Sequence, residues 1–165
     1  MKIIYRIYQL FIALPVIALG TLITTLVVII GCRIGNGHFW GYYPGKWWGR
    51  LIIRMFLLPV KVEGRENLEK GRSYVFVANH QGAFDIFLIY GYLNRNFKWM
   101  MKKSLEKVPF VGLACRCAGH IMVDRSSSSA VKKTMEHANK TLRNGMSLVV
   151  FPEGARSWDG KMRNF

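Results

Sequence analysis

A histidine and an aspartate stand five positions apart, where a short apolar run gives way to a longer one. His80 and Asp85 lie in the segment NHQGAFD, directly after residues 73–78. A turn there can bring the carboxylate onto one ring nitrogen, which fixes the tautomer and leaves the other nitrogen as a general base for a substrate hydroxyl. The spacing fits a second interpretation equally well, in which Asp85 caps a helix N-terminus and His80 is an ordinary loop residue.

A second candidate segment, FPEGARS, follows a later apolar run and combines a carboxylate, a glycine and an arginine. Gly154 allows a ligand to approach the backbone closely, and the guanidinium of Arg156 has a forked geometry suited to phosphate. Glu153 can hydrogen-bond a substrate hydroxyl or pair with Arg156. The alternative interpretation is a surface turn that carries only this local ion pair.

A third segment, GHIMVDR, places Arg125 at the end of another apolar run. If the preceding runs are strands of one sheet, Arg125 and Arg156 can contribute to a single phosphate pocket. The alternative is a solvated charge or a local pair between Asp124 and Arg125, which is the commoner fate of such residues.

The elements that must position these residues alternate along the chain. Strands are predicted at 73–78, 97–101, 120–123 and 146–151, and helices at 83–93 and 130–143. Residues 102–118 contain a proline and a glycine and are predicted to be a broken helix or a helix with a turn. This order predicts an α/β fold with a largely parallel sheet flanked by helices. Ligands bind such sheets beyond the carboxyl ends of the strands, which is where His80 lies.

The front of the chain has a different composition from the rest. Residues 7–32 form a run of 26 without a charge, whereas a membrane span needs roughly 20 residues. We interpret this run as a membrane-anchoring helix. A buried core helix and a cleaved signal are the alternatives, although the run is much longer than the apolar core of a signal peptide.

The 165-residue chain has a formal net charge of +15, and residues 1–60 hold six basic side chains and no acidic one. Aromatic residues crowd the segment 38–60 among three of these bases, and residues 51–58 are predicted to form a short second helix. Such a mixture favours the lipid headgroup level, whereas the alternative is an aromatic cluster packed on the domain itself. The charge therefore points to a membrane surface and a phosphate-bearing substrate. No nucleic-acid-binding motif accompanies it.

The three cysteines, Cys32, Cys115 and Cys117, form no paired framework, which predicts reduced thiols. Cys115 and Cys117 are separated by one residue and have no matching Cys or His pair downstream. We therefore predict no metal site.

Together the three segments resemble a known family. NHQGAFD is similar to the NH-x4-D block, GHIMVDR to the intermediate arginine block and FPEGARS to the FPEG-x-R block of the glycerolipid acyltransferases, and the chain most resembles the 1-acyl-sn-glycerol-3-phosphate acyltransferases. The resemblance covers roughly residues 62–165. It divides the chain into a membrane-anchoring part, residues 1–60, and an acyltransferase domain, residues 61–165.

The resemblance implies a reaction and a role for each residue. A fatty acyl group would pass from acyl-CoA or acyl carrier protein to the sn-2 hydroxyl of lysophosphatidic acid, giving phosphatidic acid, with no cofactor or metal. His80 would be the general base and Asp85 its orienting partner. Arg125, Glu153, Gly154 and Arg156 would bind the glycerol phosphate.

The resemblance also implies a place at the membrane, on the cytoplasmic face of the cell inner membrane. Family members continue well past the FPEG block, so we expect this chain to be a fragment whose domain lacks its C-terminal part. Two alternatives remain: another acceptor, such as glycerol 3-phosphate or another lysolipid, or a non-catalytic, membrane-tethered protein that binds anionic lipid.

Overall fold

The computed structural model describes residues 2–154 and shows a four-stranded sheet covered by helices. The strands are β1 (Val75–Val77), β2 (Phe97–Lys102), β3 (Ile121–Val123) and β4 (Ser147–Val150). Their spatial order is β1-β4-β2-β3 and every pair is parallel. The prediction of an α/β fold with a parallel sheet is confirmed.

Strand pairing brings distant parts of the chain to one edge of the sheet. In the register of β1 against β4, Val77 lies opposite Val150, so both strands end at the same level. The loop that carries His80 and the loop that begins at Phe151 therefore leave the sheet side by side. This pairing is what brings the first and second candidate segments, NHQGAFD and FPEGARS, together.

Side chains of the central strands alternate between two buried faces, as the period of a strand requires. One face packs against the helix Phe84–Tyr92 (α5) and carries Phe97, Trp99 and Val149. Leu148 lies on the other face. There Leu148 and Ile121 pack against Ala138 of the long helix Ser128–Arg143 (α7). The sheet is thus the middle of three layers.

The helices are bounded as follows. They are α1 (Lys2–Tyr8), a π-helical turn (Gln9–Ala13), α2 (Leu14–Ile34), α3 (Gly37–Trp40), α4 (Tyr43–Met55), α5 (Phe84–Tyr92), α6 (Val111–Cys117) and α7 (Ser128–Arg143), with 3-10 turns at Arg65–Asn67 and Lys103–Lys107. The Ser127 hydroxyl accepts a hydrogen bond from the Ala130 N–H and caps α7, as the polar run 126–129 predicts. The predicted break within 102–118 is also confirmed, because the 3-10 turn and α6 are separated at Pro109 and Phe110.

The two longest N-terminal helical segments form an antiparallel hairpin. The hydroxyls of Tyr5 and Tyr8 donate to the carbonyls of Phe56 and Met55, just beyond and at the end of α4. Nearer the bend, the indole N–H of Trp48 donates to the Thr21 hydroxyl, at 3.1 Å. The hairpin therefore holds α4 along the apolar helix from Tyr5 to Thr21.

The stretch Ile3–Ile34 is a continuous helix of 32 residues whose most apolar stretch of 18 residues has mean hydropathy 2.5, so it is long and apolar enough to cross a membrane. Only 17% of its most apolar stretch is buried, which is unlike a core helix and consistent with a membrane anchor. Its C-terminal end nevertheless packs on the protein, where Val28 and Ile29 meet Ala114 and Ala118 at α6. The anchor and the α/β part are in direct contact.

The structure corrects two expectations for the aromatic segment. The second helix begins at Tyr43, eight residues before the predicted start, because Pro44 is accepted in a first turn. Tyr42 is 2% exposed and packs against Phe97 and Trp99, so it lies in the core and not at a lipid surface. Trp47 remains 57% exposed, as an interfacial ring would be.

Helix α4 crosses α5 so closely that the contact tolerates only glycine. A Cβ on Gly49 would lie 2.7 Å from the carbonyl oxygen of Phe87 and 3.3 Å from the Gly91 nitrogen. At the same crossing the Arg50 Nε–H donates to the Gly91 carbonyl, at 2.7 Å. The crossing fixes the anchor hairpin to the layer that carries Asp85.

We expect Gly49→Ala to lower the free energy of unfolding by about 1–2 kcal/mol. Overpacking costs about 1–3 kcal/mol, whereas alanine gains about 0.5–1 kcal/mol over glycine within a helix. The measurement is chemical denaturation in detergent, followed by helical ellipticity. Gly37→Ala is the matched control, because a Cβ on Gly37 meets no atom within 4 Å. Equal stabilities of the two variants would contradict the prediction.

Candidate active site

The His80 loop is held to the β4 side of the sheet by two hydrogen bonds from its backbone. The Ala78 N–H donates to the Val150 carbonyl, at 3.2 Å, which extends the pairing of β1 and β4 by one residue. The His80 N–H donates to the Glu153 carboxylate, at 3.1 Å. Glu153 therefore positions the loop that carries the histidine, a role that its place in the sequence did not suggest.

The His80 ring is oriented by Asp85. Nδ1 of His80 lies 2.9 Å from Oδ2 of Asp85, and the same oxygen accepts the backbone N–H groups of Gln81, at 2.7 Å, and Gly82, at 2.8 Å. The alternative interpretation, a helix cap beside an ordinary loop histidine, is wrong, because the N-cap residue of α5 is Ala83, with no side-chain cap hydrogen bond. The Asp85 oxygen instead secures both the ring and the turn before α5. With its proton on Nδ1, the neutral ring presents Nε2 as a hydrogen-bond acceptor.

A column of two stacked aromatic rings also supports the imidazole of His80. The His80 ring stacks on Phe151, with centroids 4.1 Å apart and planes inclined by 12°. Phe151 stacks in turn on Trp99, with centroids 5.4 Å apart and planes inclined by 26°. Both side-chain hydrogen bonding and stacking thus restrict rotation of the imidazole.

Arg125 reaches the loop that follows β4. Gly154 has φ +67°, and a Cβ placed on it would lie 3.6 Å from Nη2 of Arg125, so the guanidinium rests against this glycine. The positive φ favours glycine here. The structure brings His80, Asp85, Arg125, Glu153 and Gly154 to one end of the sheet, whereas Arg156 lies outside the described residues and its role stays a prediction.

The acidic neighbour of Arg125 is engaged elsewhere. The Asp124 carboxylate pairs with the Lys103 ammonium, at 2.6 Å, and accepts the Ser126 N–H, at 3.0 Å. The hydrogen bond from Lys103 and those from Ser126 hold the pKa of Asp124 well below its usual range. The expected alternative, a local pair between Asp124 and Arg125, is therefore wrong, and Lys103 neutralises the aspartate instead.

An apolar cavity of about 400 Å³ opens beside the histidine. His80, Phe151 and Gly154 line it, and so do three threonines of α2: Thr21, Thr24 and Thr25. The cavity volume falls in the range of small-molecule sites. Sequence reasoning missed the contribution of α2, because nothing in an apolar run shows which of its faces turns inward.

Three further polar side chains line this cavity. The His120 Nε2 lies 2.8 Å from the Tyr90 hydroxyl, and its Nδ1 accepts the Trp99 backbone N–H at 3.2 Å. His120 is 7% exposed, and its burial, together with the nearby charge of Lys98, lowers its pKa from 6.5 to about 3. The imidazole is therefore neutral at physiological pH.

Cys115 also lines the cavity, but it is not a nucleophile. Burial raises the pKa of its thiol to about 11, so the reactive thiolate is not formed near neutral pH. Within residues 2–154, no group of three or more His, Cys, Asp and Glu side chains could hold a metal ion. That no metal is required stays a prediction.

The comparisons with known proteins agree with the geometry. A family model described as Acyltransferase matches residues 59–165. Curated relatives named 1-acyl-sn-glycerol-3-phosphate acyltransferase include one from Saccharomyces cerevisiae, 33% identical and aligned over 81% of this chain and 44% of its own length. Another, from Limnanthes douglasii, is 29% identical over 90% of this chain and 51% of its own length.

A solved structure is similar as well. The crystal structure of the 1-acyl-sn-glycerophosphate acyltransferase PlsC from Thermotoga maritima superposes with a TM-score of 0.69 at 29% identity, covering 98% of this chain and 64% of that one. These similarities confirm the resemblance carried by the three motifs. The chain spans about half the length of these two curated relatives.

We expect the buried His120 to make stability depend on pH. Between its folded pKa of about 3 and the ordinary value of 6.5, the unfolded chain binds a proton that the folded chain does not. The free energy of unfolding of the wild type therefore decreases as the pH falls below 6.5. This decrease is steeper than in His120→Gln by up to about 1.4 kcal/mol per pH unit.

Urea titrations from about pH 7 down to about pH 5 measure this difference in slope. His137→Gln is the matched control, because His137 is exposed on α7. Parallel curves for the wild type and His120→Gln would show that the buried imidazole is not the source of the pH dependence.

Proposed function

The chain belongs to the Acyltransferase family, and from that premise we propose that it transfers a fatty acyl group from a thioester to the sn-2 hydroxyl of 1-acyl-glycerol 3-phosphate. The donor is acyl-CoA or acyl carrier protein, and the product is phosphatidic acid. The observation that carries the proposal is the Asp85-oriented His80, which lines an apolar cavity together with Gly154, the residue against which the guanidinium of Arg125 rests.

In this reaction His80 acts as the general base. Its Nε2 accepts the proton of the acceptor hydroxyl while the oxygen attacks the thioester carbonyl carbon, and the resulting imidazolium gives that proton to the departing thiolate. The Asp85 carboxylate stabilises the positive ring, as the third member does in hydrolase triads. The acyl–sulfur bond is exchanged for an acyl–oxygen bond, and no covalent acyl-enzyme is formed.

The tetrahedral intermediate needs donors for its oxyanion, and the loop amides beside His80 are the first candidates. Three of them are already used: the His80 N–H bonds Glu153, and those of Gln81 and Gly82 bond Asp85. The oxyanion donors are therefore other groups. The same hydrogen bonds that orient the base remove these amides from direct catalysis.

The phosphate of the acceptor binds where Arg125 lies against Gly154. Arg125 supplies a forked, permanently charged donor there, and Gly154 leaves the backbone open to a close ligand. Arg156, two residues beyond Gly154, adds a second guanidinium, and Glu153 hydrogen-bonds the glycerol. The cavity lined by Trp99 and the threonines of α2 accommodates an acyl chain.

The membrane is the partner that supplies this substrate. The outer face of the N-terminal helix is apolar and open, with Ile4 73% and Phe11 69% exposed. A second apolar surface lies at the loop before α6, where Phe110 is 53% exposed with φ +59° and follows Lys102, Lys103 and Lys107. Apolar side chains among bases suit an anionic bilayer surface. The enzyme lies at the cytoplasmic face of the inner membrane.

We expect His80→Ala to reduce the rate of acylation of lysophosphatidic acid by about 10²-fold to 10⁴-fold, the usual contribution of a general base. Asp85→Asn should lose a similar amount, because the ring then lacks its negative partner. The measurement is transfer of a radiolabelled acyl group by the 165-residue chain in vesicles, with flotation showing that both variants still bind membrane. Full activity of His80→Ala would exclude the mechanism.

The wild type separates the alternatives in the same assay. A panel of lysophosphatidic acid, glycerol 3-phosphate and other lysolipids identifies the acceptor. No transfer to any of them, with retained binding of phosphatidic acid, would favour the non-catalytic lipid-binding function.

We expect Arg125→Ala to raise the KM for the acceptor by about 10-fold to 100-fold, since a hydrogen bond to a charged group contributes about 1.5–3 kcal/mol. The control is Arg143→Ala, which removes the same charge from the exposed end of α7. Steady-state kinetics with varied lysophosphatidic acid compares the two. A similar KM in both variants would place the phosphate away from Arg125.

A further inference from the structure

The polar side chains in the cavity wall form an incompletely paired group. The Nδ1 of His120 accepts the Trp99 backbone N–H, so this nitrogen carries no proton. The neutral imidazole therefore has its proton on Nε2, and this N–H donates to the Tyr90 oxygen, at 2.8 Å. The Tyr90 hydroxyl is consequently an acceptor toward His120, and its own hydrogen has no acceptor within residues 2–154.

The indole N–H of Trp99 is the second unpaired donor. Trp99 is 4% exposed, and its Nε1 has no hydrogen-bond partner among residues 2–154. Burial raises the pKa of the Tyr90 hydroxyl while Trp99 lowers it, because the indole N–H faces that oxygen. The contact does not have the geometry of a formed hydrogen bond. Leaving such donors buried and unpaired is unfavourable.

Two neutral donors without an acceptor select the chemistry of the ligand. The missing partner is an oxygen that only accepts, such as a carbonyl, because a hydrocarbon chain offers no lone pair. The group itself contains no cation, since His120 is neutral and the buried Lys98 ammonium donates to the Ala118 carbonyl, at 2.6 Å. Lys102, which lines the same cavity, is exposed at the end of β2. An uncharged carbonyl in an apolar cavity fits these conditions.

We propose that the Tyr90 hydroxyl and the Trp99 indole N–H bind the carbonyl oxygen of the sn-1 ester of the acceptor. The inference rests on the proposed function and adds a specificity site to it. The site reads the ester linkage of the acyl chain that the acceptor already carries, and so distinguishes a 1-acyl from a 1-alkyl glycerol phosphate.

The position of the donors agrees with this oxygen better than with the reacting carbonyl. The thioester carbonyl must lie next to His80 Nε2 when the hydroxyl attacks. Trp99 lies one ring further away, beyond Phe151 in the stacked column. The sn-1 ester is joined to the sn-2 oxygen through two glycerol carbons, so its carbonyl can reach past one ring while the hydroxyl remains at His80.

The test compares the binding of two ligands that differ only in this carbonyl. The probes are 1-palmitoyl-glycerol 3-phosphate and its 1-O-hexadecyl ether, titrated calorimetrically into the 165-residue chain in lipid nanodiscs. We expect the wild type to bind the ester about three- to tenfold more tightly, the value of a neutral hydrogen bond. Tyr90→Phe should bring this ratio close to one.

Tyr92→Phe is the matched control, because this tyrosine lies two positions along the same helix with its ring against Arg50, outside the residues that line the cavity. Its ester-to-ether ratio should equal that of the wild type. The wild-type ratio needs no variant, so the result remains decisive even if Tyr90→Phe folds poorly.

Equal affinity of the wild type for ester and ether would overturn the proposal, and so would an unchanged preference in folded Tyr90→Phe. Acyl transfer is a separate readout. A preference for the ester that disappears in Tyr90→Phe supports the site even if the chain transfers no acyl group, in which case the proposed function alone would fail.

Discussion

The parallel pairing of β1 with β4 is the constraint on which the site depends. The two strands are separated by about 70 residues of chain, yet they end at the same level, with Val77 opposite Val150. Every important contact of His80 with the FPEG segment follows from that register, including the hydrogen bond to Glu153 and the stacking on Phe151. A shift by one residue would turn Phe151 to the opposite face of the sheet and remove the support of the histidine ring.

Asp85 shows how a rigid base is obtained from few residues. One carboxylate oxygen accepts three N–H groups, two from the backbone of the turn and one from the ring. The turn and the imidazole are therefore positioned by the same atom, and neither can move without losing bonds at the other. In the proposed reaction this arrangement uses the amides nearest to the reacting atoms, so other groups than these must stabilise the oxyanion.

The apolar N-terminal helix has two surfaces with different partners. Its outer surface is exposed and suited to lipid, whereas Thr21, Thr24 and Thr25 line the cavity that opens at His80. The hairpin with α4, closed by Trp48 and by the tyrosine hydroxyls near the N-terminus, holds the helix in this position. In the proposed reaction an acyl chain can thus pass between bilayer and site along one helix, without exposure of the chain to water.

The amino-acid sequence by itself determined the order of strands and helices, since the apolar runs have the lengths and turn signals of an α/β fold. It also singled out His80, Asp85, Arg125, Glu153, Gly154 and Arg156 as candidates, because these residue types follow strands and resemble motifs of one family. The tertiary structure decided which interpretations of these residues hold. It paired Asp124 with Lys103, made Glu153 a support of the His80 loop, and placed Tyr42 in the core. The physical reason is that strand order and the inward face of an apolar helix depend on contacts between segments far apart in the chain, and no local pattern records them. For the same reason the group formed by Tyr90, Trp99 and His120, drawn from three separate elements, could be recognised only once the chain was folded.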